Sequence, residues 1–377
     1  MRLPRRALLA AIAAAAAAVL SQPAPAAVAP GLHVSGNRIV DSAGRTTVLR
    51  GVNRAGTEGG GGSSGVPVTD AEIGWIGSDH AGSWHARAVR VLLGEAQWTG
   101  ACEALADYPS TYHQRIDAEV RSITSRGMVA LLDLHTSTAG CTSVERHAMP
   151  DAPVAQQFWS SVAKHYAPNP RIAFELYNEP HWVTEDVWRS GTARATMQDC
   201  DPALSPAKRL LCKATVPRYK AVGMQELYDL VTRTAPGHLV VVDGYDWSTA
   251  PPARLLTGHP VYALHPYTCP GPGACQTAGY AHADLDVLNR WVPLSKRAPI
   301  WVTELGWPSK AGFRNVDGSG YYRETLTFLE SRRPAWGWLA FAFDGSSKGA
   351  FTLTSSTSSY APNPTGVPVF RALRRFY

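Results

Sequence analysis

The chain has no Cys-x-x-Cys pair and no polybasic run of Lys and Arg. Beyond its N-terminal segment, it also has no apolar stretch long enough to span a bilayer. The first absence argues against a zinc ribbon or a dithiol redox centre, and nothing points to a metal or organic cofactor. The second leaves nucleic acid and anionic membranes without an electrostatic footprint. The glycine run Gly59 to Gly62, continued by Ser63-Ser64-Gly65, is not followed by Gly-Lys-Ser/Thr. It therefore reads as a flexible loop and not as a phosphate cradle. No appended module is expected after Phe343. Charged residues are sparse at 18% against 45% hydrophobic, which describes a globular protein with ample core.

What is present begins with an export signal. Residues 1–27 combine Arg2, Arg5 and Arg6, an Ala-rich apolar run to Leu20, and the small residues Ala24-Pro25-Ala26-Ala27. This is the pattern of a secretory signal peptide, and Arg5-Arg6 also permits the twin-arginine route. Its removal would lower the formal net charge from +6 to about +3 (6 − 3) and leave a catalytic domain over 28–377. A secreted, extracellular protein acting as a monomer is the expectation, and six cysteines fit that compartment. Fifteen pairings are open to them. The preferred set joins Cys200 to Cys212 and Cys269 to Cys275, which are close in sequence, leaving Cys102 with Cys141.

Along the chain, apolar strand-like runs alternate with helical patterns. A hairpin signal around Asp41-Ser42-Ala43-Gly44 opens the domain. Strands are expected at Thr47 to Val52, Ala88 to Leu93, Met128 to Leu134, Arg171 to Tyr177, His238 to Val242, Val261 to Leu264, Pro299 to Thr303 and Trp336 to Phe343. Helices are expected over Thr111 to Arg126, Pro153 to Tyr166, a span from Met224, Ala283 to Trp291, Tyr321 to Ser331 and Val367 to Phe376. An insertion carrying Cys200 and Cys212 interrupts the pattern. Near-continuous apolar strands imply burial on both faces, as parallel sheets require. A doubly wound open sheet would share this alternation, but polar residues end nearly every strand. That favours an α/β fold of the closed (β/α)8 TIM barrel type, a single domain with a short N-terminal β-hairpin.

The polar strand endings converge in such a barrel. The stretch Arg171 to His181 (R-I-A-F-E-L-Y-N-E-P-H) runs as a strand until Pro180, which lacks an N–H, and so places Glu179 at a strand tip. Glu304 ends another strand, and an acid directly after Ile300-Trp301-Val302 needs a reason to be there. Two carboxylates on one rim can flank a glycosidic bond, and a separation of about 5–5.5 Å belongs to the retaining, double-displacement route. Such a pair needs surroundings that keep one member protonated and the other ionised.

The ordered set of Arg90 in V-R-V, His135 in L-D-L-H, Asn178-Glu179-Pro180, His265-x-Tyr267 and Glu304 in V-T-E-L-G resembles glycoside hydrolase family 5, in the clan of (β/α)8 retaining glycosidases. The resemblance covers about Gly51 to Phe343, and G-V-N-R-A-G-T-E at Gly51 to Glu58 and D-L-H at Asp133 look most like secreted bacterial endoglucanase-like members. It implies Glu179 as general acid/base and Glu304 as nucleophile, with Arg90 and Tyr267 orienting Glu304. It also implies Asn178 on the sugar 2-OH, His265 beside Glu179, and His135 lining the subsite of the attacked sugar. The implied partner is a polysaccharide or oligosaccharide.

Trp98, Trp182, Trp247 and Trp307 each follow a strand end, where rings could stack on sugar faces. One departure concerns the eighth strand, where the family usually carries a Trp. Here the strand ends Phe341-Ala342-Phe343, so Phe343 or Phe341 is expected to substitute. The leading expectation is an endo-β-1,4-glucanase. A mannan- or other β-glycan-specific enzyme, or an exo-acting one, is the alternative within the class. A non-catalytic carbohydrate-binding barrel is the alternative outside it.

Overall fold

The structure, a computed structural model, describes residues 31–58, 68–102, 111–139, 141, 146–267, 282–307, 318–343 and 351–375. The expected signal peptide, the glycine run from Gly59 and the Cys269/Cys275 pair lie outside the described residues. Strands β1 (His33–Ser35) and β2 (Arg38–Val40) pair antiparallel and precede the barrel. Their turn is Gly36-Asn37, with Gly36 at φ 60°, and not the Asp41 to Gly44 segment expected from the sequence. Asp41 instead accepts from the backbone N–H groups of Ala43 and Arg45 and folds a second turn that closes the Val40–Thr46 bridge.

The barrel consists of β3 (Arg50–Arg54), β4 (Ala88–Gly94), β5 (Val129–Thr136), β6 (Ile172–Glu175), β7 (Leu239–Asp243), β8 (Val261–Ala263), β9 (Ile300–Leu305) and β10 (Gly337–Phe343). All neighbours are parallel, and β10 closes onto β3. Closure follows from the sequence of strands such as β4 and β5, which are buried at every position. Their alternate residues have different company. Val89, Val91, Ala130 and Leu132 pack with the helices outside. Ala88, Val129, Leu131, Ala173, Val241, Val261 and Trp301 fill the barrel floor. The β3–β4 approach tolerates no side chain at Gly51, where a Cβ would lie 1.8 Å from the Ala88 carbonyl oxygen.

Outside run α3 (Tyr112–Ser125), α4 (Val154–Tyr166), α7 (Met224–Thr234), α8 (Leu285–Arg290), α9 (Val292–Ser295), α10 (Ser319–Ser331) and α11 (Val367–Arg375). As the spacing predicts, α3 buries Ile116, Val120 and Ile123 and is followed by Gly127 in the left-handed region. Four helices were not expected: α1 (Asp70–Ile76), α2 (Glu95–Thr99), α5 (Glu185–Ser190) and α9. Each is too short for a helical period to register. The inserted segment carries a further helix, α6 (Pro206–Thr215). Cys200–Cys212 forms the disulfide that sequence proximity favoured, and Cys102–Cys141 the one that the preferred pairing left over. Among the described residues no helix is long and apolar enough to cross a membrane.

Candidate active site

Above the apolar floor, the barrel interior turns polar. Arg90 projects inward from the middle of β4 and is fully buried. Its guanidinium donates to Asn53 Oδ1 at 3.1 Å, Asn178 Oδ1 at 2.9 Å, Glu175 Oε2 and Glu304 Oε1, and it pairs with Asp133 Oδ2 at 3.0 Å. Burial alone would push this guanidinium down. The carboxylates of Asp133, Glu175, Glu304 and Asp243 reverse that and raise it well above its ordinary value. A planar fork with five N–H donors suits this hub as a lysine would not.

Glu304 reaches Arg90 because β9 is bulged. Trp338 pairs with Val302 and Ala340 with Leu305, so one extra β9 residue is accommodated between those pairings. Strict alternation from Val302, which packs outside, would have sent Glu304 outside too. The irregularity turns both Thr303 and Glu304 inward, the kind of re-aiming for which bulges are used near active sites. Tyr267 donates its hydroxyl to Glu304 Oε2 at 2.7 Å. Burial pushes Glu304 up, but positive His265 and Arg90, then His135, and the Tyr267 hydrogen bond outweigh it and hold the carboxyl at about 2. Glu304 is therefore an anion at neutral pH.

Glu179 lies past the end of β6 with φ 53°, a left-handed backbone unusual for a residue with a side chain. Its Oε1 is 3.0 Å from His265 Nδ1, and its Oε2 accepts from the half-exposed Arg146 at 3.2 Å. The opposite ring nitrogen of His265 bonds Thr303 Oγ1 at 2.9 Å. Burial lowers His265, yet Glu304, Asp243 and Glu179 raise it to about 9, so both ring nitrogens carry protons and donate. One carboxylate oxygen each from Glu179 and Glu304 and a nitrogen of His265 lie within 4.8 Å of one another. Glu175, Asp243 and His265 form a second such group. Neither suits a divalent cation, because His265 has both nitrogens committed and Arg90 sits beside these acids.

His135 Nδ1 bonds Asp133 Oδ2 at 2.8 Å, and burial together with Arg90 pushes the ring down to about 4, so it is neutral. Asn178 presents its Oδ1 to Arg90 while its buried Nδ2 has no partner. The structure thus brings Arg90, His135, Asn178, Glu179, His265, Tyr267 and Glu304 together. Arg54, another strand-end cation, points elsewhere and pairs with Glu72 of α1 at 2.6 Å.

The aromatic expectations divide. Trp182 and Trp247 are partly exposed beside Glu179. The Trp247 ring stacks on His181 at 3.6 Å, meets Trp182 edge-on at 6.0 Å, and its backbone N–H bonds Pro180 O. Trp98 is a correction. It is buried, stacked on His113 at 4.1 Å and bonded to Ser161 Oγ, so its faces are used between helices. Trp307 is another, buried against Tyr321 and the backbone of Gly318. Phe343 is the third, because it points outward and is fully buried between Trp84 and Tyr360. A register shift against β3 between Ala340 and Phe343 breaks the alternation, so Phe341 lies on the other face, partly exposed, where Phe351 bridges it to Tyr267. The sequence reading gave no site role to Asp243, Glu175 or Asp133, the last of which it met only within L-D-L-H. Each is an acid in an otherwise apolar strand, which was the available signal.

A closed parallel barrel carrying two carboxylates, an arginine hub and a protonated histidine at its C-terminal mouth points to the class of glycoside hydrolases built on this fold. The sequence matches the family Cellulase (glycosyl hydrolase family 5) over residues 64–345, and the chain belongs to that family. Endoglucanase 1 of Saitozyma flava is 26% identical over 174 residues, 44% of this chain and 49% of that protein, so the alignment spans about half of the relative's length. An endoglucanase catalytic domain from Thermobifida fusca superposes with a TM-score of 0.60 at 17% identity, covering 91% of this chain and 97% of the other. A β-glucanase from Saccharophagus degradans, in complex with cellotetraose, gives 0.61 at 18% identity over 92% and 94%. These structures share the fold.

Proposed function

We propose that the protein is a secreted endo-β-1,4-glucanase that cleaves with retention of anomeric configuration. The observation that carries this reading is the approach of the two carboxylates, with oxygens of Glu179 and Glu304 within 4.8 Å. That falls short of the separation of about 6.5–9.5 Å used by inverting enzymes and matches the spacing of about 5–5.5 Å used in double displacement. Glu304 attacks the anomeric carbon while Glu179 delivers its proton to the departing glycosidic oxygen. A covalent glycosyl ester on Glu304 results. Glu179 then takes a proton from water, whose oxygen displaces Glu304 and restores the starting enzyme.

Once Glu304 is esterified, His265 loses the largest charge that raises it, so the site's electrostatics change between the two half-reactions. Asn178 Nδ2 is a donor awaiting an acceptor, suited to a sugar hydroxyl on the attacked ring. Trp182 and Trp247 lie on the Glu179 side, which places them against the leaving group. The cellotetraose bound by the Saccharophagus relative supports a β-glucan as substrate. Two disulfides among the described residues fit export.

Product analysis on β-1,4-glucan, mannan, xylan and aryl β-glycosides tests the assignment. Soluble oligosaccharides released from internal β-1,4-glucan bonds, with the β-anomer appearing first by NMR, are expected. Silence on every β-glycan would overturn it. Glu304→Gln should abolish turnover while retaining oligosaccharide binding.

A further inference from the structure

Asp243 closes β7 inside the barrel and takes no part in the chemistry described above. Its Oδ2 accepts the backbone N–H of Glu179 at 2.9 Å and the Ser248 hydroxyl at 2.7 Å. Both donors belong to left-handed backbone: Glu179 has φ 53°, and Asp246, Trp247 and Ser248 have φ 54°, 60° and 56°. A left-handed residue with a side chain is strained and persists only where its surroundings impose it. One oxygen of Asp243 therefore clamps both the acid/base and the loop that carries Trp247.

The other oxygen, Oδ1, is buried without a partner, and so is Glu175 Oε1 on the paired strand β6. Oxygens of the two carboxyls, with a nitrogen of His265, lie within 4.8 Å of one another. The groups facing them are Arg90 from β4, Asp133 from β5, Glu179 after β6, His265 after β8 and Glu304 from β9. Five carboxyls thus share two buried cations, Arg90 and His265. Two adjacent buried anions with unused oxygens are costly, whereas one proton between them gives each orphan oxygen a partner.

Resting on the glycosidase reading above, we propose that Asp243 is the positioning residue of the acid/base, and that it works as a neutral acid by holding one proton in common with Glu175. Burial and then the neighbouring Glu175 push the Asp243 carboxyl well above its usual range. A neutral Asp243 still accepts at Oδ2, so the clamp on Glu179 needs no buried charge.

Aryl β-cellobiosides test the role, because a dinitrophenyl leaving group departs without a proton and a phenyl group does not. In Asp243→Ala, kcat/KM on the phenyl substrate should fall by about 100-fold or more, the scale of general acid catalysis, while the dinitrophenyl substrate loses under about 10-fold. Asp243→Asn, an isostere of the neutral acid, should stay within about 3-fold of wild type on both and keep its pH profile, since roughly 1.4 kcal/mol is a factor of ten. Infrared difference spectra, wild type minus Asp243→Asn at neutral pH, should show one protonated-carboxyl band, which holds the proposal to account even if the Ala variant does not fold. Equal loss on both substrates, an Asn variant as impaired as Ala, or absence of that band would overturn it. A wild type inactive on both substrates would overturn the glycosidase reading itself and this role with it.

Discussion

The hydroxyl of Tyr267 donates to Glu304 Oε2 across 2.7 Å. It is one of the groups that hold Glu304 at about 2 despite full burial. Tyr267→Phe deletes that donor and leaves the ring in place, so the carboxyl must rise. Because Glu304 acts as an anion, its ionisation sets an acid limb of activity, and that limb should move to higher pH. A hydrogen bond to a charged group is worth about 1.5–3 kcal/mol, so kcat/KM near neutrality should fall roughly 10- to 100-fold. A pH–rate profile with an unmoved acid limb would count against the arrangement.

Arg90 makes contacts that no other cation can replace. Arg90→Lys keeps the charge but cannot reach Asn53, Asn178, Asp133, Glu175 and Glu304 together. Leaving buried carboxylates without their partner costs about 3–5 kcal/mol. Denaturant unfolding should show a loss of that order along with loss of turnover. A variant as stable as wild type would mean that the hub contributes little to the fold.

Trp182 and Trp98 should separate sugar binding from packing. Trp182 is partly exposed on the Glu179 side, so Trp182→Ala should raise KM for long glucan oligomers with little change in thermal midpoint. Trp98 is buried between helices, stacked on His113 and bonded to Ser161, so Trp98→Ala should cost about 3–5 kcal/mol and leave KM unchanged once folded. Oligosaccharide kinetics beside thermal unfolding would expose a reversed pattern.

Glu119 on α3 is buried, neither of its carboxylate oxygens has a partner, and burial pushes it up to about 8. In the unfolded chain it ionises near its ordinary value of 4.5. Between those two values the folded state holds the extra proton, so stability declines as pH rises through this window, by up to about 1.4 kcal/mol per pH unit. Glu119→Gln should flatten that decline and raise the melting temperature at pH 7–8 relative to wild type. Parallel melting curves against pH in the two proteins would refute it.

Much of this fold could be read from the chain because burial on both faces imposes a signature. Ala88 to Leu93 and Met128 to Leu134 have no wet side, and a strand of that kind belongs to a covered parallel sheet. The interruptions were equally legible. Arg90 and Glu304 stand in or after apolar runs where a charge must find a partner. The hairpin was misplaced because Asp41 to Gly44 does form a turn, and only strand pairing reveals that Gly36-Asn37 joins the two strands.

The sequence by itself determined the residue types and their order: a strand ending in Asn178-Glu179-Pro180, a second carboxyl at Glu304, and the alternation that closes a barrel. Tertiary structure alone decided which side chains meet. A bulge in β9 turned Glu304 inward against its own alternation, and a register shift in β10 sent Phe343 out and left Phe341 at the mouth. Packing between helices removed Trp98 from the rim. Asp243 became the support of Glu179 only when β7 closed beside β6. The physical reason is common to all four. Local pattern specifies which residues are buried, whereas register and bulges, set by pairing between distant strands, specify the direction in which each one points.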